Sequence, residues 1–467
     1  MPIGTMSPRT HGAVQLLQYL APLAETAPPP PSSSQPTLSS LTLSWSAYIF
    51  SLALALLELV YPRLTRLDAE DIIANARRNT CLRDLGAAEA SFRANLQKFS
   101  AHCSHNSTAL SRFVHRTSAI AFAENRLRVV AYTHAHPEAA SLSLRPLVIC
   151  GLPRTGTTLL QSCLALDEAT CRVRGLRQWE VTTPAPLAPT AAADVRLRQR
   201  VARFAMRFGD AFVYPEQRVV TGIRWDSLAE DYPLLHLSLL LPLHIATATL
   251  CEEDAGVLYD WCTGGGDVRA AYAMYAEALR VLVHSLPAPA AAESGAPPRV
   301  LLKCPEHTWA LDALFDVFPD AQVVWTHREP AATIASYSTQ AAALTRFLRG
   351  RVEPRRVGPA VHRCFADGVR RGIAARAGRE GQVLDVGYEA LRRDPAAEVR
   401  RVKAWAGLPH DGASEARLSA FLGGGARGAA PAPAGKHKYS AEFFGVDEAD
   451  VASDFAEYRR RFGRLLT

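Results

Sequence analysis

The residues best suited to chemistry lie in one short run, VICGLPRTGTTLLQ, residues 148–161. An apolar stretch enters a turn bracketed by Gly151 and Gly156 and leaves it as a helix. In such a strand–turn–helix unit, the backbone N–H groups of the turn and the helix N-terminus converge on one point and favour an anion there. The Walker A version of the loop places a lysine directly after its second glycine, followed by a Ser or Thr that helps to hold magnesium. Here the spacing holds, but Thr157 stands at the lysine position, Thr158 follows, and the cation has moved inside the loop as Arg154. No apolar strand ending in a magnesium-binding Asp follows at the expected distance. A phosphate-like anion held by Arg154, Thr155, Gly156, Thr157 and Thr158, without the lysine and metal, points away from ATP or GTP hydrolysis.

A second block, LLKCPEHTWALDALFDVFPDAQVVWTHREPAATIASYS (301–338), closes an apolar strand with Arg328 and sets Ser336 eight residues on, in the next helix. DVGYEALRRDP (385–395) and GKHKYSAEFFG (435–445) follow in order. Together with PRTGTT, these blocks resemble the sulfotransferases that use 3′-phosphoadenosine 5′-phosphosulfate (PAPS), and among them the bacterial-type enzymes with a helical N-terminal extension. The resemblance implies that Arg154 and Thr155 to Thr158 cradle the 5′-phosphosulfate, and that Arg328 and Ser336 hold the 3′-phosphate. A forked guanidinium and a hydroxyl suit a phosphate dianion. It further implies Tyr388 in the adenine pocket, and Lys436 and Lys438 in a basic segment closing over the 3′-phosphate. Lys303, at the mouth of RVLLK, suits the leaving oxygen, because a buried lysine at a strand's carboxyl end needs an anionic partner.

The proton acceptor has two candidates. Glu180, in RQWEV, follows the loop helix as the base glutamate does in the tyrosylprotein branch; its alternative is an ion pair with a nearby arginine. His307, in KCPEH, resembles the K-x-H base of the cytosolic branch with two extra residues between, and its alternative is a helix cap. Glu306 ranks third. The implied reaction moves a sulfuryl group from PAPS, as co-substrate and without a required metal, to a hydroxyl or amine of a small-molecule, glycan or lipid acceptor. Two competing readings are a phosphate-loop kinase of a small metabolite and a non-catalytic nucleotide-binding relative.

Positioning such a site takes a sheet. PLVIC (146–150), RVLLK (299–303), AQVVWT (321–326) and QVLDV (382–386) are short apolar runs, each followed by a helix-like segment. Such alternation predicts an α/β fold in which a mostly parallel sheet is flanked by helices, spanning about residues 141–467. Ahead of it, apolar residues recurring every three or four positions from Asp68 to Pro137 predict an all-helical extension, residues 62–140. Residues 194–286 are expected to be largely helical and to shape the acceptor pocket, with Phe204, Phe208, Phe212, Tyr214, Trp225 and Tyr232 as candidate lining.

Composition fits this picture. The 467 residues are 48% hydrophobic and 21% charged with a net charge of +7, which excludes wholesale disorder and a multi-span membrane protein. No basic run of five or more occurs, so nucleic-acid binding is not supported, whereas an anionic small ligand is. The basic residues are almost all arginine. The few lysines are Lys98, Lys303, Lys403, Lys436 and Lys438, and three of them fall where the resemblance wants a cation. The 9 cysteines are scattered without a C-x-x-C pair, and reduced thiols with no zinc site are expected.

Residues 1–40 include a Pro/Ser-rich stretch expected to be a disordered tail. LTLSWSAYIFSLALALLELVY (41–61) carries one charge, Glu58, and is a candidate membrane span or a buried apolar helix. Localisation stays open between a membrane, including the Golgi, and the cytoplasm. The oligomeric state is not legible. Asn106-Ser107-Thr108 fits a glycosylation sequon and is relevant only in a lumenal setting.

Overall fold

The computed structural model describes residues 45–104, 107–167, 173–188, 190–209, 223–240, 267–286, 299–349, 352–423 and 440–467. The proline-rich tail, the loop at 287–298, most of that at 423–435, Asn106, Phe212 and Tyr214 lie outside these residues, as do Lys436 and Lys438. The apolar runs become strands β1 (Leu147–Gly151), β3 (Arg299–Lys303), β4 (Gln322–His327) and β5 (Val383–Gly387). A fifth, β2 (Val173–Gly175), joins at the edge. All pairings are parallel, in the order β2-β3-β1-β4-β5. Register pairs Ile149 with Lys303 and Gly151 with Thr326, which aligns the carboxyl ends of the three central strands.

The strands are buried on both faces, as a parallel sheet requires. Val148, Val300, Leu302, Val323 and Trp325 face one helical layer. Leu147, Ile149, Leu301, Val324 and Val386, one step out of phase, face the other. That two-residue alternation divides one sheet between two cores.

Among the described residues, the α-helices of five or more residues are, in chain order, α1 (Trp45–Val60), α2 (Ala69–Thr80), α3 (Glu89–Ser104), α4 (Ala109–Ala135), α5 (Thr157–Leu164) and α6 (Gln178–Thr182). Next come α7 (Ala191–Phe208), α8 (Val268–Ser285), α9 (Leu311–Val317), α10 (Pro330–Arg349) and α11 (Pro354–Ala375). The remainder are α12 (Tyr388–Arg393), α13 (Pro395–Ala406), α14 (Gly412–Gly423), α15 (Glu448–Asp454) and α16 (Ala456–Phe462).

The N-terminal region is helical, and local signals explain its boundaries. The Asp68 carboxylate accepts from the Asp71 amide at 2.9 Å to start α2, and the Thr108 hydroxyl accepts from Ser111 at 3.0 Å to start α4. Ile72, Phe92, Leu96 and Leu127 form a separate core that also takes in Leu239. Arg126, fully buried, donates to the carbonyls of Leu85 (2.6 Å) and Leu237 (3.1 Å), and Asn95 donates to Ser238 O at 2.9 Å. Burial pulls the Arg126 guanidinium down to about 10. These bonds fasten residues 237–239, just beyond the site, to the helical region.

The span considered for residues 41–61 does not form among the described residues: no helix there is long and apolar enough to cross a membrane. Helix α1 has 16 residues, a rise of about 24 Å against a hydrocarbon core of about 30 Å. Its Glu58 is turned inward, 2.6 Å from Arg112 Nη2, and accepts from Thr65 Oγ1 at 2.5 Å.

Candidate active site

The glycine-bracketed loop sits at the carboxyl end of β1, where the chain order turns outward in both directions, the usual ligand position in an open parallel sheet. Its backbone is demanding. Gly151 has φ 126°, and a Cβ there would meet the Thr326 carbonyl oxygen at 2.5 Å. Gly156, at φ 87°, starts α5 with its Cα against Tyr388 and Leu391; a Cβ would reach them at 3.2 and 3.0 Å. Arg154 is not a glycine, yet it holds φ 70°, a left-handed conformation that costs a side-chain-bearing residue about 1–2 kcal/mol.

Arg154 Nε donates to Ser336 Oγ at 3.1 Å, and its carbonyl accepts from Arg328 Nη1 at 2.8 Å. The Arg328 guanidinium lies over the Tyr388 ring, 4.2 Å from its centroid. Five of the expected residues, from the loop after β1, the residue after β4, α10 and α12, thus meet in one cluster: Arg154, Gly156, Arg328, Ser336 and Tyr388. Burial and the neighbouring Arg328 charge both lower the affinity of the Arg154 guanidinium for its proton. Neither arginine has a carboxylate partner among the described residues.

The Thr155 hydroxyl is engaged within the loop. It donates to Leu152 O at 2.6 Å and lies 2.6 Å from Thr326 Oγ1, so it braces the turn against β4. Thr157 is buried at the start of α5, and Thr158 is exposed.

Lys303, buried at the end of β3, forms the second cluster. Its ammonium is 3.5 Å from Thr158 Oγ1 and forms an ion pair with Glu230. Its backbone amide donates to Asp231 Oδ1 at 2.8 Å. The other Asp231 oxygen is 2.8 Å from His307 Nε2 and accepts from Tyr275 OH at 2.6 Å, while Tyr272 OH is 2.8 Å from His307 Nδ1. Burial works to raise the Asp231 carboxyl, but His307 and Tyr275 outweigh it and hold it below the ordinary carboxylate range. Burial and Asp231 push the Tyr275 phenol well up, which keeps it a donor. The first turn of α5 links the two clusters, since Gly156 and Thr158 belong to one each.

Glu180 joins neither cluster. Its side chain is 1% exposed; one oxygen pairs with Arg174, and the other accepts from the Arg177 amide at 2.8 Å, reaching back to cap α6. Residues 176–180 run beside 225–229, with Ala229 N bonded to Leu176 O at 2.9 Å, so Glu180 supports the strand-like segment that delivers Glu230. Gln161 Nε2 ties the same segment to α5 through Ala229 O, at 2.9 Å. His307 is wholly enclosed. Glu306 accepts from the Cys304 thiol at 2.8 Å.

Sequence reasoning missed Glu230, Asp231, Tyr272 and Tyr275. The only local trace is an acidic pair in the otherwise apolar SLAEDYPLL. Of the aromatics expected in the acceptor lining, Phe204 faces outward, Trp225 lies beneath Arg203 at 4.4 Å, and Tyr232 packs on His236 at 5.2 Å.

Behind Arg328, His327 stacks on Phe462 (4.2 Å) and lies 3.0 Å from Tyr458 OH, so α16 clasps the end of β4. Asp385 on β5 receives His327 at 2.8 Å and Arg376 at 2.7 Å. Among the described residues no group of His, Cys, Asp and Glu could hold a metal ion, and none of the described cysteines is in a disulfide.

A parallel sheet whose central strand ends in a glycine-bracketed loop, with two arginines on one side and a lysine–carboxylate pair on the other, frames the candidate site. The Sulfotransferase family profile matches residues 146–412, more than half of the chain and all the described elements of both clusters, and the chain belongs to that family of transferases. Among solved structures, sulfotransferase STF9 from Mycobacterium avium superposes with a TM-score of 0.68 at 22% identity, covering 85% of this chain and 97% of that one. Sulfotransferase STF1 from Mycobacterium tuberculosis H37Rv gives 0.67 at 25% identity, covering 84% and 99%. No curated protein matches the chain significantly.

Proposed function

We propose that the chain transfers a sulfuryl group from PAPS to a hydroxyl or amine of a small-molecule, glycan or lipid acceptor. The observation that carries this reading is the Arg154–Arg328 pair: Arg328 donates to the Arg154 carbonyl, Ser336 is bonded to the Arg154 guanidinium, and neither arginine has a carboxylate partner among the described residues, an arrangement that fits a phosphate dianion. The residues present therefore suit the donor's two anionic ends. Arg154 and the Gly156–Thr158 turn take the phosphosulfate, while Arg328 and Ser336 take the 3′-phosphate, with Tyr388 beside the adenine.

In the transfer, the acceptor oxygen or nitrogen bonds to sulfur as the bond from sulfur to the bridging oxygen breaks, and 3′,5′-ADP departs with that oxygen. Lys303 faces this oxygen and stabilises its developing charge. Of the carboxylates near Lys303, Glu230 is the one with access, its side chain 34% exposed, and we assign it the acceptor's proton. Glu180 and His307 then act as positioning residues, because both have their polar atoms committed to internal partners. An anion bound beside Lys303 competes with Glu230 for the ammonium and frees the carboxylate.

The test is a thermal-shift titration with 3′,5′-ADP. Stabilisation of the wild-type protein, lost in Arg328→Ala, is expected; saturation at 100 times Kd adds about 2.7 kcal/mol. No stabilisation, or stronger stabilisation by ATP–Mg²⁺, would overturn the reading in favour of a binding relative or a kinase.

A further inference from the structure

Every large apolar side chain that is exposed among the described residues, Phe443 apart, lies on α1 with the turn after it or on α7. On α1 they form a helical stripe, Ile49, Leu56, Leu57 and Val60, with Val60 68% exposed. On α7, Leu197, Val201 and Phe204 repeat at i, i+4 and i+7, with Phe204 74% exposed. The two stripes belong to neighbouring helices, since Phe50 meets Phe208 edge to face at 5.6 Å.

Charge is sorted around these stripes. The single acid of α1, Glu58, is turned inward onto Arg112, and the single acid of α7, Asp194, is buried against Arg198 at 2.9 Å. What remains outward on α7 is Arg196, Arg200, Arg203 and Arg207, and α1 is followed by exposed Arg63 and Arg66. Arg66 is partly answered by Asp68 at 3.0 Å. A face that keeps its apolar side chains outward, hides both of its acids and is bordered by arginines matches the chemistry of an anionic lipid surface. A second copy of the same face would oppose arginine to arginine.

We propose that α1 and α7 form a monotopic membrane-docking face, lying in the headgroup region of an anionic bilayer without crossing it. Helix α10 connects this face to the site. It carries Ser336 in the arginine cluster and, about 12 Å further along its axis, Leu344, which packs on the small core that α1 shares with α4. The proposal does not depend on the donor or on the reaction.

The test is co-sedimentation of the full chain with vesicles of phosphatidylcholine alone and of phosphatidylcholine containing phosphatidylserine. Binding to the anionic vesicles, weakened by added salt, is expected. Leu57→Glu and Phe204→Glu, both at exposed positions, should each lower it by at least about tenfold, with the melting temperature unchanged. Absence of binding to anionic vesicles would overturn the proposal, as would equal binding by the two variants. A wild-type dimer in sedimentation velocity that either variant splits into monomers would reassign the face to self-association and also overturn it.

Discussion

Replacing Arg154 by glycine should separate function from stability, because the residue occupies a conformation that suits glycine better than arginine. At φ 70° the wild-type residue carries about 1–2 kcal/mol of backbone strain, which glycine releases. Against this, the variant loses the 3.1 Å bond to Ser336, worth about 1 kcal/mol, and gains unfolded-chain entropy worth about 0.4–1 kcal/mol. Relief of a partly buried guanidinium placed beside Arg328 acts in the stabilising direction. The terms nearly cancel, so the urea midpoint followed by tryptophan fluorescence should move by no more than about 1 kcal/mol. Binding should not be spared. A forked contact to a phosphosulfate-type anion rests on two charge-assisted bonds at about 1.5–3 kcal/mol each, so calorimetry with 3′,5′-ADP should show a loss of about two to four orders of magnitude. Unfolding that becomes easier by about 3 kcal/mol would show Arg154 to be a structural strut. Retained affinity would show that the loop's anion does not depend on its cation. Either result refutes the reasoning.

Two further outcomes follow from the same geometry. Glu230→Gln should lower kcat by about 10²–10⁴ while 3′,5′-ADP affinity stays within a few-fold, whereas Glu180→Gln, which breaks the cap of α6, should show up first as lost stability. Full activity in Glu230→Gln would return the base to Glu180 or His307. In the Asp385 site, burial alone would raise the carboxyl, but the bonds from His327 and Arg376 outweigh it and bring it down to about 2. A folded-state value below the unfolded one gives stability that is present above about pH 4 and is lost as pH falls toward 2, about 2 kcal/mol in all. Asp385→Asn should forfeit that amount at neutral pH and flatten the acid limb of stability against pH. An unchanged acid limb would rule out the linkage.

The parts of this molecule that could be read from sequence are those whose signal is local. Runs such as RVLLK and AQVVWT have unbroken apolar centres because their strands are covered on both faces, and each ends where a turn or helix signal begins. Strand β2 has three residues with an arginine in the middle, too short for a pattern, and exists because it pairs with β3. The loop, Arg328 and Ser336 were legible because a fixed spacing along one chain segment sets their geometry. The Lys303–Glu230 pair was not, since it joins positions 73 residues apart and is created by tertiary packing. For Glu180 the sequence carried a usable sign: a glutamate three residues after the start of a short helix is a capping pattern, and that is the role it takes here. In the apolar stretch at 41–61, hydropathy does not register that Glu58 has an arginine waiting on α4, a pairing made only by tertiary packing.

The clasp of α16 on β4 has a consequence for the order in which the protein can be made. Arg328 sits at the end of a strand whose His327 is covered by Tyr458 and Phe462. The arginine cluster is therefore incomplete until a segment about 300 residues downstream of the loop has been synthesised, which at 5–20 residues per second takes about 15–60 seconds. Through that interval β1 is already available, a fully apolar strand whose flanking partners, β3 and β4, arrive only from residues 299 and 322 onward. The nascent chain thus spends about a third of its synthesis with this apolar strand unpaired. The helical region at the N-terminus, which has its own core and is made first, is the part able to fold in that time.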